Sequence, residues 1–242
     1  MQDRSARGHG SELRIGIAPD YKPIVWKEND KIVGVEVEFA KALAKELGRK
    51  ADIREIAWED LFAALDNGEI DIIMSGVSIT PERAQRYLFS SPYMQIGQMA
   101  IIRLADVARL SAAGAMYSGM YRIGYVKETT GEKFVLQNLE GELKGFANVE
   151  NGVQALVDKD IDFFIHDAPT VWRLANDAIT NGQLLGIYKP LTQENLAWVM
   201  RKDNIALKNE IETVYAKWLK SGFIHKTVKK WVPVMIVQSA GP

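Results

Sequence analysis

The sequence predicts an α/β fold of two lobes, each a mostly parallel sheet flanked by helices and joined to the other by two hinge crossings. Three observations point there. Strand patterns alternate with helical ones along the chain, the alternation comes in two blocks, and a stretch rich in small residues, Ala105 to Gly119, separates them. The chain has 242 residues, enough for two lobes of about 100 residues each.

Leu13, Ile15 and Ile17 alternate into the turn Ala18-Pro19-Asp20, the pattern of a strand running into a loop. Val35, Phe39, Leu43 and Leu47 recur at every fourth position and stop at Gly48; Trp58, Leu61, Phe62 and Leu65 repeat the helical pattern and stop at Gly68. The run Ile70 to Met74 is a buried strand. The second block opens with a strand from Tyr121 to Val126, followed by a helix from Glu132 to Leu139, another near Gly152 to Val157, and a strand from Ile161 to Ile165. A last strand, Leu196 to Met200, precedes a helical stripe of Leu207, Ile211, Val214, Tyr215, Trp218 and Leu219 that ends at Gly222. This stripe predicts that the C-terminal helices return to the first lobe.

The strand-like run Met99 to Arg103 is assigned to the first lobe, with one crossing just after it and a second at Pro190 to Asn195. Lobe 1 is therefore expected to hold residues 11–103 and 193–237, and lobe 2 residues 104–192. Residues 1–10 and 238–242 are expected to be tails outside both. The sequence shows no internal repeat.

Composition narrows the function. Thirty Lys and Arg stand against 31 Asp and Glu, and no basic cluster is longer than Lys229-Lys230, which argues against a nucleic-acid footprint. No apolar run nears the roughly 20 residues of a membrane helix; the one from Val232 to Val237 is broken by Pro233. Cysteine is absent, which excludes disulfides, thiolate nucleophiles and cysteine-bound zinc. Histidines occur at positions 9, 166 and 225 without metal-ligand spacing, so neither metal nor other cofactor is expected. No Gly-x-Ser-x-Gly elbow is present. The first ten residues carry no apolar stretch of the export-signal kind.

The segment that carries chemistry is Ser75-Gly76-Val77-Ser78-Ile79-Thr80-Pro81-Glu82-Arg83. It follows the buried strand, at the carboxyl edge where α/β sheets bind ligands. Thr80 is a good N-cap and Pro81 a good first helical residue, which puts Arg83 in a first helical turn. The helix dipole disfavours a cation there, and an anion between them resolves the conflict. Arg83 can hold a carboxylate bidentately, with Ser78 adding a donor and Ser75 and Gly76 beside it. A surface ion pair with Glu82 or Glu59 fits Arg83 equally well at this stage.

The run SGVSITPERAQRYLFSSPY resembles the signature of periplasmic amino-acid-binding proteins, the type II fold of solute-binding proteins that serve polar amino-acid ABC importers. The likeness extends from about Leu13 to Trp231 through Tyr21-Lys22-Pro23, Val33 to Val37, Trp58 to Leu65, Gly97-Gln98, Glu128 to Gly131 and Asp162 to Asp167. It implies that Arg83, Ser78 and Thr130 grip a ligand α-carboxylate and that Asp167 receives its ammonium. Thr130 also precedes a helical pattern, where amides favour anions, and either it or Thr129 is a candidate cap. Asp167 has the same bland alternative, a helix cap.

Tyr21, Trp26 and Trp58 are candidates for an aromatic pocket wall; Trp58 suits the core as well, and Lys127 is a further candidate at a strand end. Ile24 replaces an aromatic residue often found in the family. The resemblance implies a monomeric, non-catalytic, extracytoplasmic binder of an α-amino acid that closes around its ligand and meets a transporter permease. Two alternatives share the fold: a cyclohexadienyl dehydratase, which needs a proton donor that Glu128 and Glu194 do not obviously supply, and the sensor domain of a membrane receptor.

Overall fold

The computed structural model describes residues 11–112, 114–176, 182–187 and 189–232. The expected tails, and residues 233–237 of the expected first lobe, lie outside them. The chain divides into two units. One contains residues 11–19, Ile24–Tyr93 and Leu196–Trp231; the other contains Asp20–Pro23 and Met94–Asn195, with Val232.

In the first unit the sheet order is Lys50–Glu55, Glu12–Ile17, Ile72–Ser78, Glu194–Arg201, Tyr87–Phe89. The first three strands are parallel, and Glu194–Arg201 runs antiparallel to both of its neighbours, Ile72–Ser78 and Tyr87–Phe89. Strand alternation sends neighbouring residues to opposite faces. Val199 packs with Leu61, Leu65, Ile70 and Ile73 under the helix Leu61–Asp66. Its neighbour Trp198 meets Phe39, Tyr215 and Trp218 from the helices Val35–Glu46 and Ile205–Ser221. The long helix ends at Gly222, whose φ of 73° is the left-handed conformation that the sequence pattern required.

The helix Val35–Glu46 also turns a carboxylate inward. Glu36 is fully buried. Its Oε1 accepts from the Gly76 N–H at 2.8 Å and the Tyr93 hydroxyl at 2.7 Å, and its Oε2 from Trp198 Nε1 at 2.9 Å. Burial pushes the carboxyl up to about 7, against the downward pull of these three donors.

The second unit repeats the plan: three parallel strands, Glu142–Phe146, Arg122–Val126 and Phe163–Asp167, then Gln98–Arg103 and Leu184–Ile187, both antiparallel to their neighbours. This corrects the expected boundaries. Gln98–Arg103 belongs to the second sheet, so the chain crosses at Tyr93/Met94 and returns at Asn195/Leu196. The strand is buried throughout: Met99 and Ile101 pack with Phe164, Leu156 and Val171, while Ala100 and Ile102 pack with Ile123, Phe163 and Val135. A strand covered on both faces reads alike in either lobe.

The small-residue stretch is part of the fold as well. Its short helix Val107–Leu110 and the turn Ala115–Tyr117 bury Leu110 and Met116 in the second core. Arg103 closes the far end of its strand, donating to the Leu156 and Ile161 carbonyls at 2.5 Å and pairing with Asp106 and Asp162.

The raised value at Glu36 sets the sign of a stability change. The folded state holds this proton more tightly than the unfolded chain, so the stabilisation is fully present below the ordinary carboxyl value of 4.5 and is lost as pH rises through about 7. Glu36→Gln does not titrate and turns an amide N–H toward the Trp198 donor. Urea unfolding at several pH values should show the stability gap between parent and variant shrinking from pH 4.5 to 8, by on the order of 1–3 kcal/mol. Parallel profiles would refute the raised value.

Candidate functional site

The strand Ile72–Ser78 leads into a cationic cluster in the first unit. Thr80 is extended and caps the short helix Pro81–Arg86, its Oγ1 accepting from the Arg83 N–H at 3.2 Å. The Arg83 side chain turns back to donate from Nη1 to the Ser78 carbonyl at 3.0 Å. Its guanidinium lies 5.7 Å from the ring centroid of Trp58 and 5.4 Å from that of Phe62, and these two rings meet edge-on. Cation–π contacts of this kind contribute roughly 0.5–2 kcal/mol each. Ser78, Arg83 and Trp58 are thus brought together, with a planar, oriented cation of the kind that pairs bidentately with a carboxylate.

An acidic cluster lies in the second unit. Asp167 ends its strand directly opposite Gln98 in the ladder, which puts the two side chains in reach of each other. Gln98 Nε2 donates to Asp167 Oδ1, and the same nitrogen lies 3.2 Å from Thr130 Oγ1 and 3.1 Å from Glu194 Oε1. Thr130 is the first residue of the helix Thr130–Asn138, and Thr129 is its cap, accepting from the Glu132 N–H at 3.2 Å. Beside them His166 is buried, and burial together with the charge of Arg173 pushes it down to about 3, so it is neutral at physiological pH. Its Nδ1 accepts from the Asp167 N–H at 2.8 Å, and Tyr21 meets its ring edge-on at 5.9 Å.

The model of the family described as bacterial extracellular solute-binding proteins, family 3, matches residues 13–234. The chain belongs to this family. It is 27% identical over 221 residues to the L-cystine-binding protein of Escherichia coli (strain K12), covering 90% of this chain and 82% of that one. It is 27% identical over 226 residues to an arginine-binding extracellular protein of Bacillus subtilis (strain 168), covering 91% and 86%. Among solved structures it superposes with TM-score 0.82 and 29% identity on an ancestral amino-acid-binding protein described as a precursor of cyclohexadienyl dehydratase, covering 92% and 95%. The two-lobed α/β fold read from the sequence is that of these binding proteins.

Within this family-3 protein several expected contacts fall differently. Ser75 is buried, and its Oγ accepts from the Ala18 N–H at 2.9 Å and donates to the Ala18 carbonyl at 3.3 Å. Gly76, with φ of 68°, directs its N–H to Glu36. Both brace the strand from within, because polar groups on a strand buried throughout must be satisfied internally. Trp26 lies on the strand Val25–Glu28 and packs edge-on against Trp231, at 5.4 Å. Lys127 is exposed, with its stem along Gly145. Ile24, the departure from the family pattern, is fully buried.

Three residues of these clusters were not read from the sequence as site residues: Phe62, Gln98 and Glu194. Phe62 was hidden in a core-like stripe. Gln98 carried a signal, a polar residue opening the apolar run Met99 to Ile102. Among the described residues no helix is long and apolar enough to cross a membrane, and no acidic or histidine group is arranged for a metal ion.

The two adjacent threonines differ in their partners: Thr129 accepts from the Glu132 N–H, and Thr130 Oγ1 faces Gln98 Nε2. Thr129→Ala removes a cap and should cost about 1 kcal/mol of stability with affinity for the ligand retained. Thr130→Val should leave stability nearly unchanged and weaken binding. Chemical denaturation and calorimetry on both variants check this, and a stability loss confined to Thr130→Val would reverse the assignment.

Proposed function

We propose that the protein binds one free α-amino acid without transforming it, as a monomeric extracytoplasmic receptor that closes on its ligand and hands it to an ABC importer. The observation that carries this reading is the opposite sign of two preorganised sets: an arginine held by Ser78 and two aromatic rings in one unit, and Asp167 with Glu194 in the other. A zwitterion offers a carboxylate to the first and an ammonium to the second. Thr130 adds a hydroxyl for the carboxylate. Trp58, Phe62 and Tyr21 are the surfaces for the ligand side chain. A ligand that needs both sets favours whichever arrangement of the units lets them act together.

The names of the relatives support an amino-acid ligand, since they bind L-cystine and arginine. A thermal-shift panel of the free amino acids, L-cystine, polyamines and prephenate identifies the ligand, because tight binding raises the melting temperature by mass action. Arg83→Ala should then lower affinity by at least a hundredfold with the fold intact, and Asp167→Asn should lower it comparably. Calorimetry showing undiminished affinity in Arg83→Ala would sink the assignment, as would a panel in which only prephenate stabilises the protein and is consumed.

A further inference from the structure

We propose that Gln98 is the positioning residue of the anionic half: its amide nitrogen fixes the Asp167 carboxylate for the ligand ammonium and joins it to the returning chain segment through Glu194 and Thr192. The inference rests on the reading that Asp167 takes an ammonium. Gln98 is fully buried at the start of its strand. Its main chain is tied to the segment before the second crossing: its N–H donates to Thr192 Oγ1 at 2.9 Å, and its carbonyl accepts from the Leu191 N–H at 2.8 Å. Its neighbour Gly97 accepts from the Ala168 N–H at 2.9 Å, directly after Asp167. The residue is held from both sides.

Chemistry settles which way the amide points. Nε2 faces three acceptor oxygens, those of Thr130, Asp167 and Glu194. Turned over, the amide would set its carbonyl oxygen against two carboxylates, an arrangement without a proton. Oε1 therefore lies on the other side, at Gly131, where a Cβ would come within 2.9 Å of it. A glycine at the first turn of that helix makes room for the amide.

An amide carries two N–H bonds, so three acceptors share them. Glu194 has a second donor in the Thr192 hydroxyl at 2.6 Å. Asp167 and Glu194 are thus held near one another by a neutral donor instead of by a lysine or arginine. A cationic side chain in that place would neutralise the charge that attracts an ammonium; an apolar one would leave two carboxylates facing each other. Glutamine keeps the negative charge and fixes its direction. When a ligand ammonium occupies Asp167, part of the Gln98 donor capacity passes to Thr130 and Glu194, so occupancy is transmitted to the returning segment.

The test pairs two ligands with two variants in the full chain. L-arginine and its deaminated analogue 5-guanidinopentanoate share carboxylate and side chain and differ in the ammonium. By calorimetry Gln98→Leu should weaken L-arginine at least tenfold and the deaminated analogue less than twofold. Gln98→Glu should weaken L-arginine at pH 8 and recover toward pH 5, where the introduced carboxyl holds a proton and donates again. Equal losses on both ligands, or a loss independent of pH, would mean a packing role only and overturn the proposal.

If Gln98→Leu does not fold, the pH profile of Gln98→Glu decides alone. If the parent protein binds neither ligand, carbon NMR titration of the Asp167 carboxyl still decides: its midpoint should rise in the glutamate variant relative to the parent, and an unchanged midpoint would refute the role of Gln98 whatever the ligand.

Discussion

Taking a carboxylate out of water costs several kcal/mol unless donors replace the solvent, and around Glu36 three donors do so. The dependence is mutual. Tyr93 and Trp198 are buried aromatic residues whose hydroxyl and indole N–H each need an acceptor. Their rings stack at 5.9 Å and both polar tips end on the same carboxylate. Tyr93 is the last residue before the chain leaves the first unit, and Trp198 follows shortly after its return. Gly76, the third donor, lies in the strand that runs on to Ser78 and from there to Arg83. One buried group therefore ties together the segment that leaves the first unit, the strand that returns to it and the strand Ile72–Ser78 that leads toward Arg83.

Strand ends in the two units carry side chains of opposite charge. A polar residue at a strand end has one neighbour fixed by the ladder and one side open to a loop, so ladder register decides what it meets. In the second unit the register puts Gln98 opposite Asp167. In the first the capped turn at Thr80 folds Arg83 back onto the Ser78 carbonyl. Arg83 is a permanent cation, and His166 stays neutral with Nδ1 committed as an acceptor.

Fold class and the strand leading to Ser78 were legible because they rest on local pattern. The four-residue spacing of Val35, Phe39 and Leu43 and the stop at Gly222 are consequences of helix geometry alone. Thr80, Pro81 and Arg83 were legible for the same reason, since a cap and a first helical turn are decided within a few residues. Gln98–Arg103 was assigned to the wrong lobe because a strand buried on both faces carries no mark of the sheet it joins. Ser75 and Gly76 were expected at the ligand because the motif contains them, yet their partners, Ala18 and Glu36, stand 57 and 40 positions away along the chain. Trp26 and Trp58 look alike in sequence, and only the fold sends one to Trp231 and the other to Arg83.

The same logic bears on chemistry. Elimination of water from a bound acid needs a group that gives up a proton at the leaving hydroxyl. The acidic side chains on these strand ends are arranged as acceptors: Glu194 takes hydrogen bonds from Thr192 and Gln98, Asp167 from Gln98. Donors aimed at a carboxyl stabilise its ionised form and so work against its use as an acid. Glu36, whose carboxyl is raised to about 7, is sealed in the first core with Gly76, Tyr93 and Trp198. The acceptor role of Asp167 and Glu194 fits the proposed capture of an ammonium.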